Sequence, residues 1–137
     1  MIVVDTNLIA YLHIEGERTA QVQQVLRKDP EWAVPFLWRS EFRNVLASYL
    51  RQQVFSLDDA QAIMQQAESF LQGREYEVSS RRVLDIVMSS HCSAYDCEFI
   101  VLAQDLQCPL VTADRQILLK FPATAMSPES FILQGLE

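Results

Sequence analysis

Ile2-Val3-Val4-Asp5-Thr6-Asn7 places three β-branched residues in a row, then a carboxylate, then two polar residues. Apolar residues without alternation fit a strand covered on both faces, as in a parallel sheet. Asp5 then falls at the strand's carboxyl end, and in open α/β sheets ligands bind outside that end. A carboxylate there needs a cation, a donor or water. Asp5 can equally cap a helix running from Thr6 to Leu12 by accepting backbone N–H bonds.

The next residues repeat the pattern. Residues 17–28 read as an amphipathic helix ended by Asp29-Pro30. Trp32-Ala33-Val34 reads as a strand stopped by Pro35. A helix follows from Leu37 to about Gln53, with Trp38, Phe42, Val45, Leu46 and Tyr49 at three- and four-residue spacing. Ser56-Leu-Asp-Asp59 is a capping box for a helix from 57 to about 72, closed by Gly73. Tyr76-Glu-Val78 is a short strand candidate. Ser80 and Ser93 begin two more helices, the second broken at Cys108-Pro109. Leu110-Val111-Thr112 reads as a buried strand, residues 115–121 as a short helix and 123–126 as a last strand. Ser127-Pro128-Glu129 starts a final helix. Strands alternating with helices predict one α/β domain over residues 1–137, a central parallel sheet flanked by helices on both faces.

Composition bounds the function. The chain has 137 residues, half of them hydrophobic, enough for a sizeable core. Eleven basic residues against 18 acidic ones give a net charge of -7, which argues against a broad phosphate-binding surface. Three cysteines without a C-x-x-C indicate neither a zinc site nor a disulfide framework, and a reducing cytoplasm is the simplest setting. No apolar run approaches the roughly 20 residues of a membrane span. The short apolar start lacks a basic segment before it, so it is not expected to be a signal peptide.

Four acids stand out. Asp5 and Asp114 each follow a buried strand, Glu41 lies near a helix start, and Asp96 lies in the first turn after Ser93. In a parallel sheet, strand ends and the starts of the following helices share one edge. Each acid also has a structural role open to it: Asp96 in a capping box with Ser93, Asp114 as an N-cap, Glu41 beside a helix dipole. Together in one cleft they would oppose one another's ionisation, and a hard divalent cation resolves that. Oxygen-only ligands suit Mg²⁺ or Mn²⁺. A Walker loop, a G-x-S-x-G elbow and an H-E-x-x-H pair are all absent.

Val-Val-Asp5-Thr6-Asn7, Glu41 before Phe/Asn-Val-Leu, Ser93-Ala-Tyr-Asp96 and Leu-Val-Thr112-Ala-Asp114-Arg115 resemble the motifs of the PIN domain. The likeness is nearest to the VapC-type toxins of type II toxin–antitoxin pairs and covers essentially the whole chain. It implies a Mg²⁺- or Mn²⁺-dependent endoribonuclease, with Asp5, Glu41, Asp96 and Asp114 as the acidic site and Asn7 and Thr112 as its polar support. It also implies a VapB-like antitoxin as partner and a homodimer. Asp5 and Asp96 are expected as direct ligands, Asp114 as a direct or water-mediated one. Arg39, Arg43 and Arg115 are candidate phosphate contacts, or else solvated helix charges or ion pairs, the reading preferred for any one of them. His13 and His91 are isolated, and the cysteines are expected to pack as small hydrophobes. Some aromatics among Phe36, Trp38, Phe42, Tyr49, Phe55 and Phe70 are expected to face a partner, most of them the core.

Two other classes stay open. A phosphatase or phosphotransferase with an aspartyl nucleophile would carry D-x-D, but position 7 is Asn. A non-catalytic PIN-like module binding RNA or protein would have no need of all four acids. The preferred expectation is hydrolysis of single-stranded or looped RNA, because an unstacked strand reaches a compact pocket more readily than a regular duplex.

Overall fold

β1 (Ile2–Val4) lies at the centre of a five-stranded sheet in the order β3-β2-β1-β4-β5, with every pairing parallel. The computed structural model describes residues 1–134; the last three residues of the expected 1–137 domain lie outside the described residues. The other strands are β2 (Trp32–Pro35), β3 (Glu75–Tyr76), β4 (Leu110–Val111) and β5 (Ala125–Met126). Ile2 pairs with Trp32 and Val3 with Ala33 on one side, while Val3 pairs with Leu110 and Val4 with Val111 on the other. Beyond β3 the chain crosses back to the far side of β1, so the strand order reverses between β1 and β4. That switch point is where an open parallel sheet leaves a crevice.

The helices are α1 (Thr6–His13), α2 (Thr19–Lys28), α3 (Leu37–Arg51), α4 (Leu57–Leu71), α5 (Ser80–Ser90), α6 (Ala94–Leu106), α7 (Arg115–Lys120) and α8 (Pro128–Leu133). They cover both faces, which accounts for the unalternating strands. Ile2, Val4, Trp32 and Val34 pack with Leu8, Ile9, Val22, Val25, Phe42 and Phe131 from α1, α2, α3 and α8. Val3, Ala33, Leu110 and Ala125 face Phe99, Ile100, Leu102 and Ile117 from α6 and α7. Successive strand residues point to opposite faces, and here both faces are core.

Several boundaries differ from expectation for local reasons. β2 runs through Pro35, not to Val34. Val34 N–H donates to Arg74 O at 3.1 Å and Phe36 N–H to Tyr76 O at 3.2 Å, so β3 asks no donor of residue 35. Its pairing with β1 ends at Ala33, and the missing N–H of proline costs nothing there. β3 starts one residue before the expected Tyr76-Glu-Val78 and ends at Tyr76, and β5 is only the last two residues of the expected 123–126. Ala125 N–H turns back to Phe121 O at 2.8 Å. The capping box at Ser56 and Asp59 forms with both of its bonds. Of the aromatics on α3, on α4 and between them, Trp38 and Phe42 are fully buried, Tyr49, Phe55 and Phe70 half-buried. Phe36, just ahead of α3, is exposed.

His13, at the end of α1, sits between Phe42 and Phe70, with ring centroids at 6.5 and 5.9 Å. Among the described residues its Nε2 is buried without a hydrogen-bond partner. Burial holds its pKa below the usual 6.5. The unfolded chain therefore takes up a proton that the folded one refuses, and stability falls as pH drops below 6.5. His13→Leu is expected to stabilise the protein by about 1 kcal/mol at pH 7 by removing an unpartnered polar atom. Its advantage over the wild type should grow between pH 6.5 and 5 in urea titrations. A pH-independent difference would refute this account of His13.

Candidate active site

Asp5 ends β1 and caps α1. Its Oδ1 accepts from Leu8 N–H at 3.1 Å, and its Oδ2 accepts from the Thr112 hydroxyl. Thr112, fully buried just past β4, also accepts from Asp114 N–H at 3.0 Å. One hydroxyl thus ties the ends of the two central strands together across the switch point. Asp114 caps α7, its Oδ1 accepting from Gln116 and Ile117 N–H at 2.9 and 3.1 Å. Among the described residues its Oδ2 accepts no hydrogen bond, so capping leaves that oxygen for the crevice. For Asp5 and Asp114 the capping and pocket roles are held at the same time.

Glu41 projects from the second turn of α3, and its Oε1 accepts from the Thr6 hydroxyl at 2.6 Å. Asp96 stands in the first turn of α6, where its N–H donates to Ser93 Oγ at 3.1 Å. The return bond of a capping box, from Ser93 N–H to the Asp96 carboxylate, is absent among the described residues. The four carboxylates line one pocket of about 270 Å³ with Thr6, Asn7, Asn44, Val45, Phe99 and Ile117. No Lys, Arg or His lines it. A roomier hollow of about 550 Å³ beside Cys108 and Pro122 has no charged residue among the described residues that line it.

The electrostatics follow from that lining. Burial pushes Asp5 up to about 6, helped by the charges of Asp114 and Glu41 and opposed by the bonds from Thr112 and Leu8. Glu41 is raised by burial and by Asp96, against the Thr6 bond. Asp96 is raised by burial and by Asp114, against Ser93. Glu98, one turn-half further along α6, is raised by burial and by Glu41. The pocket thus carries negative charge that its own walls do not neutralise, and oxygen atoms dominate its donor set. Hard divalent cations take such a set. Among the described residues, no three Asp, Glu, His or Cys groups close around one point as a ready cage. Mg²⁺ needs only one or two carboxylates and keeps several waters, so an open acidic pocket of this kind fits it.

The residues around the acids differ in what they touch. Glu41 is held by the Thr6 hydroxyl, a support that the sequence does not single out. Asn7 lines the pocket, but its side chain makes no hydrogen bond to a carboxylate among the described residues. Arg39 is not free to meet a phosphate. Its Nε and Nη2 donate to the two oxygens of Glu75 at 2.6 and 2.8 Å, and its Nη1 lies 2.9 Å from Glu68. Trp38 Nε1 donates to the same Glu75 at 2.7 Å. This cluster fastens the start of α3 to β3 and so aims Glu41. Arg43 and Arg115 are exposed and do not line the pocket. Asn44 was not anticipated, although its place one turn after Glu41 puts both on one helix face.

A parallel sheet with acids gathered at its switch point defines a class of acidic-pocket α/β domain. The PIN domain family model matches residues 2–122, and the chain belongs to that family. Ribonuclease VapC3 of Pyrobaculum aerophilum is 26% identical over 125 residues, covering 89% of this chain and 95% of that protein. The crystal structure of PAE2754 from Pyrobaculum aerophilum superposes with a TM-score of 0.73 at 21% identity, covering 97% of this chain and 94% of the other. A toxin–antitoxin complex from Klebsiella pneumoniae superposes at 0.67 and 17% identity, covering 93% and 98%.

Holding Asp5 at about 6 instead of its usual 3.8 costs on the order of 3 kcal/mol at pH 8 without a cation. The folded protein binds this proton more readily than the unfolded chain, so its share of stability is recovered as pH falls from 6 towards 4. Asp5→Asn keeps the cap oxygen and removes the charge. In chelator at pH 8 it is expected to be up to about 3 kcal/mol more stable than the wild type. That margin should shrink towards zero by pH 4 in denaturant titrations. A less stable Asp5→Asn at pH 8 would show that the buried charge of Asp5 is not what limits the metal-free protein.

Proposed function

We propose that this chain is a divalent-metal-dependent endoribonuclease that cuts single-stranded or looped RNA, acting as the toxin of a type II toxin–antitoxin pair. The observation that carries this is the convergence of Asp5, Glu41, Asp96 and Asp114 on one uncompensated pocket of a PIN domain. The relative named Ribonuclease VapC3 supports the activity, and the complex from Klebsiella pneumoniae supports an antitoxin partner. A VapB-like antitoxin and a homodimer complete the proposed assembly. The protein acts in the cytoplasm in this reading; among the described residues no helix is long and apolar enough to cross a membrane.

Asp5 and Asp96 would hold Mg²⁺ or Mn²⁺ directly, and Asp114 directly or through water. When bound, the cation supplies polarisation of the phosphoryl oxygen and a more acidic water. The chain's own groups do the rest. Thr112 and Leu8 N–H keep Asp5 in one orientation, so that its carboxylate needs no rearrangement to act. Glu41, held by Thr6 and raised by burial, is placed to orient the attacking water and accept its proton. Asn44 and Asn7 offer amide N–H donors to phosphate oxygens at the pocket wall. Arg43 and Arg115, outside the wall, remain the candidate contacts to neighbouring phosphates.

The substrate class follows from charge and size. At a net charge of -7 the protein lacks the electrostatic footprint that binds long duplexes non-specifically. A pocket of about 270 Å³ admits a phosphate from an unstacked strand more readily than one in a regular helix. In Mn²⁺ or Mg²⁺, total RNA and a loop-bearing RNA are expected to yield discrete fragments, and linear duplex DNA to survive. Asp96→Asn should reduce cleavage by at least about 100-fold while the variant stays folded. Saturating Mn²⁺ should raise the wild-type melting temperature, because a ligand bound only by the folded state must do so. An unmoved melting temperature would remove the metal from this scheme. Mutant-sensitive cutting of duplex DNA alone would replace the substrate.

A further inference from the structure

Cys92 and Cys97 flank the cap of α6. With Ser93 as N-cap, Cys92 precedes the helix by one position and Cys97 is its fourth residue. Those are the two positions whose side chains meet in a hydrophobic staple. Here both staple positions are cysteines. Cys97 is fully buried with Val83 and Val101, and the half-buried Cys92 packs against the same cluster. Ser90 joins them. Its Oγ accepts from Cys92 N–H at 3.1 Å and lies 3.8 Å from Cys97 Sγ. The Ser90 hydroxyl already donates to Ile86 O at 2.6 Å, so the Cys97 thiol is the donor of that contact and points towards the 90–92 turn. Cys108 packs in a different cluster, on the β4 side of α6.

We propose that Cys92 and Cys97 close a reversible intramolecular disulfide when the protein meets a hydroperoxide, a covalent staple over the turn that carries Asp96. Cys92, the more accessible sulfur, takes an oxygen atom from the peroxide, giving a sulfenic acid and releasing water or an alcohol. The Cys97 sulfur then attacks the Cys92 sulfur. The S–S bond forms, the S–O bond breaks, and the hydroxyl leaves with the Cys97 proton as water. Two electrons pass from the two thiols to the peroxide bond, and a dithiol reductant reverses the change. The bridged segment spans Ser93 to Asp96, including the Ser93 cap of Asp96 N–H. Oxidation therefore stiffens the seat of one pocket carboxylate. This inference stands on the α5–α6 turn and does not depend on the nuclease reading.

The test uses the full chain carrying Cys108→Ser, treated with hydrogen peroxide and then N-ethylmaleimide. Intact mass is expected to show loss of two hydrogens and no maleimide adduct. Chymotrypsin, cutting after Tyr95, should leave two peptides joined through Cys92 and Cys97. Dithiothreitol should restore two labelled thiols. Amide hydrogen exchange over residues 93–97 should slow in the oxidised form. Two maleimide labels after peroxide, a bond between two chains, or Cys92 passing to the sulfinic acid would each overturn the disulfide. Unchanged exchange over 93–97 with the bond in place would overturn the stiffening of the Asp96 turn.

Discussion

The bond from Thr112 to Asp5 is the contact on which the pocket rests. It joins residues 107 positions apart, at the ends of β1 and β4. A parallel pair of strands brings those ends together, and the strand order reverses at that place. Asp5 is buried, so its charge needs partners or a proton. Thr112 and the first turn of α1 supply the partners, but Asp114 and Glu41 press in the other direction. The outcome is a carboxylate poised near pH 6, held rigidly and short of positive charge. A structural N-cap alone gives no reason to gather three further acids around it.

The surrounding framework serves to hold that repulsion in place. Glu41 is anchored twice: its own oxygen takes the Thr6 hydroxyl, and its helix is fastened to β3 by Arg39, Trp38 and Glu75. Glu75 is nearly buried, and Arg39 holds its carboxyl below the usual range. That pair contributes above pH 4.5 and is lost as pH falls, opposite in sign to Asp5. The two clusters also differ in what they do with charge. Around Glu75 the charges cancel and the structure is tied together. In the pocket they do not cancel, which is unfavourable for a purely structural arrangement and favourable for binding a cation.

Much of this was legible in the order of residues. Ile2-Val3-Val4 and Leu110-Val111 show no alternation, and the structure covers both their faces. Asp5 and Asp114 sit at once after those strands, so parallel pairing must put them at one edge. Glu41 and Asp96 follow from their places near helix starts. The supporting residues were harder to read. Arg39, two residues before Glu41, has the same charge and helix neighbourhood whether it meets phosphate or Glu75. Nothing local distinguishes the two, because Glu75 and Glu68 lie on other elements. Asn7 and Thr6 are adjacent in sequence, and only the direction of α1 decides which side chain reaches Glu41.

The alternation of elements, the parallel sheet and the acids at its strand ends follow from spacing along the chain, so the order of residues is enough to read them. What each polar group is paired with is set only when the chain folds. Thr112 serves two carboxylate-bearing segments, Thr6 holds Glu41, Arg39 is withdrawn to Glu75, and two cysteines share one cluster under the α6 cap. Hydrogen bonds and charge repulsion act across distances of a few ångströms between residues far apart in sequence, and only the folded chain sets those distances.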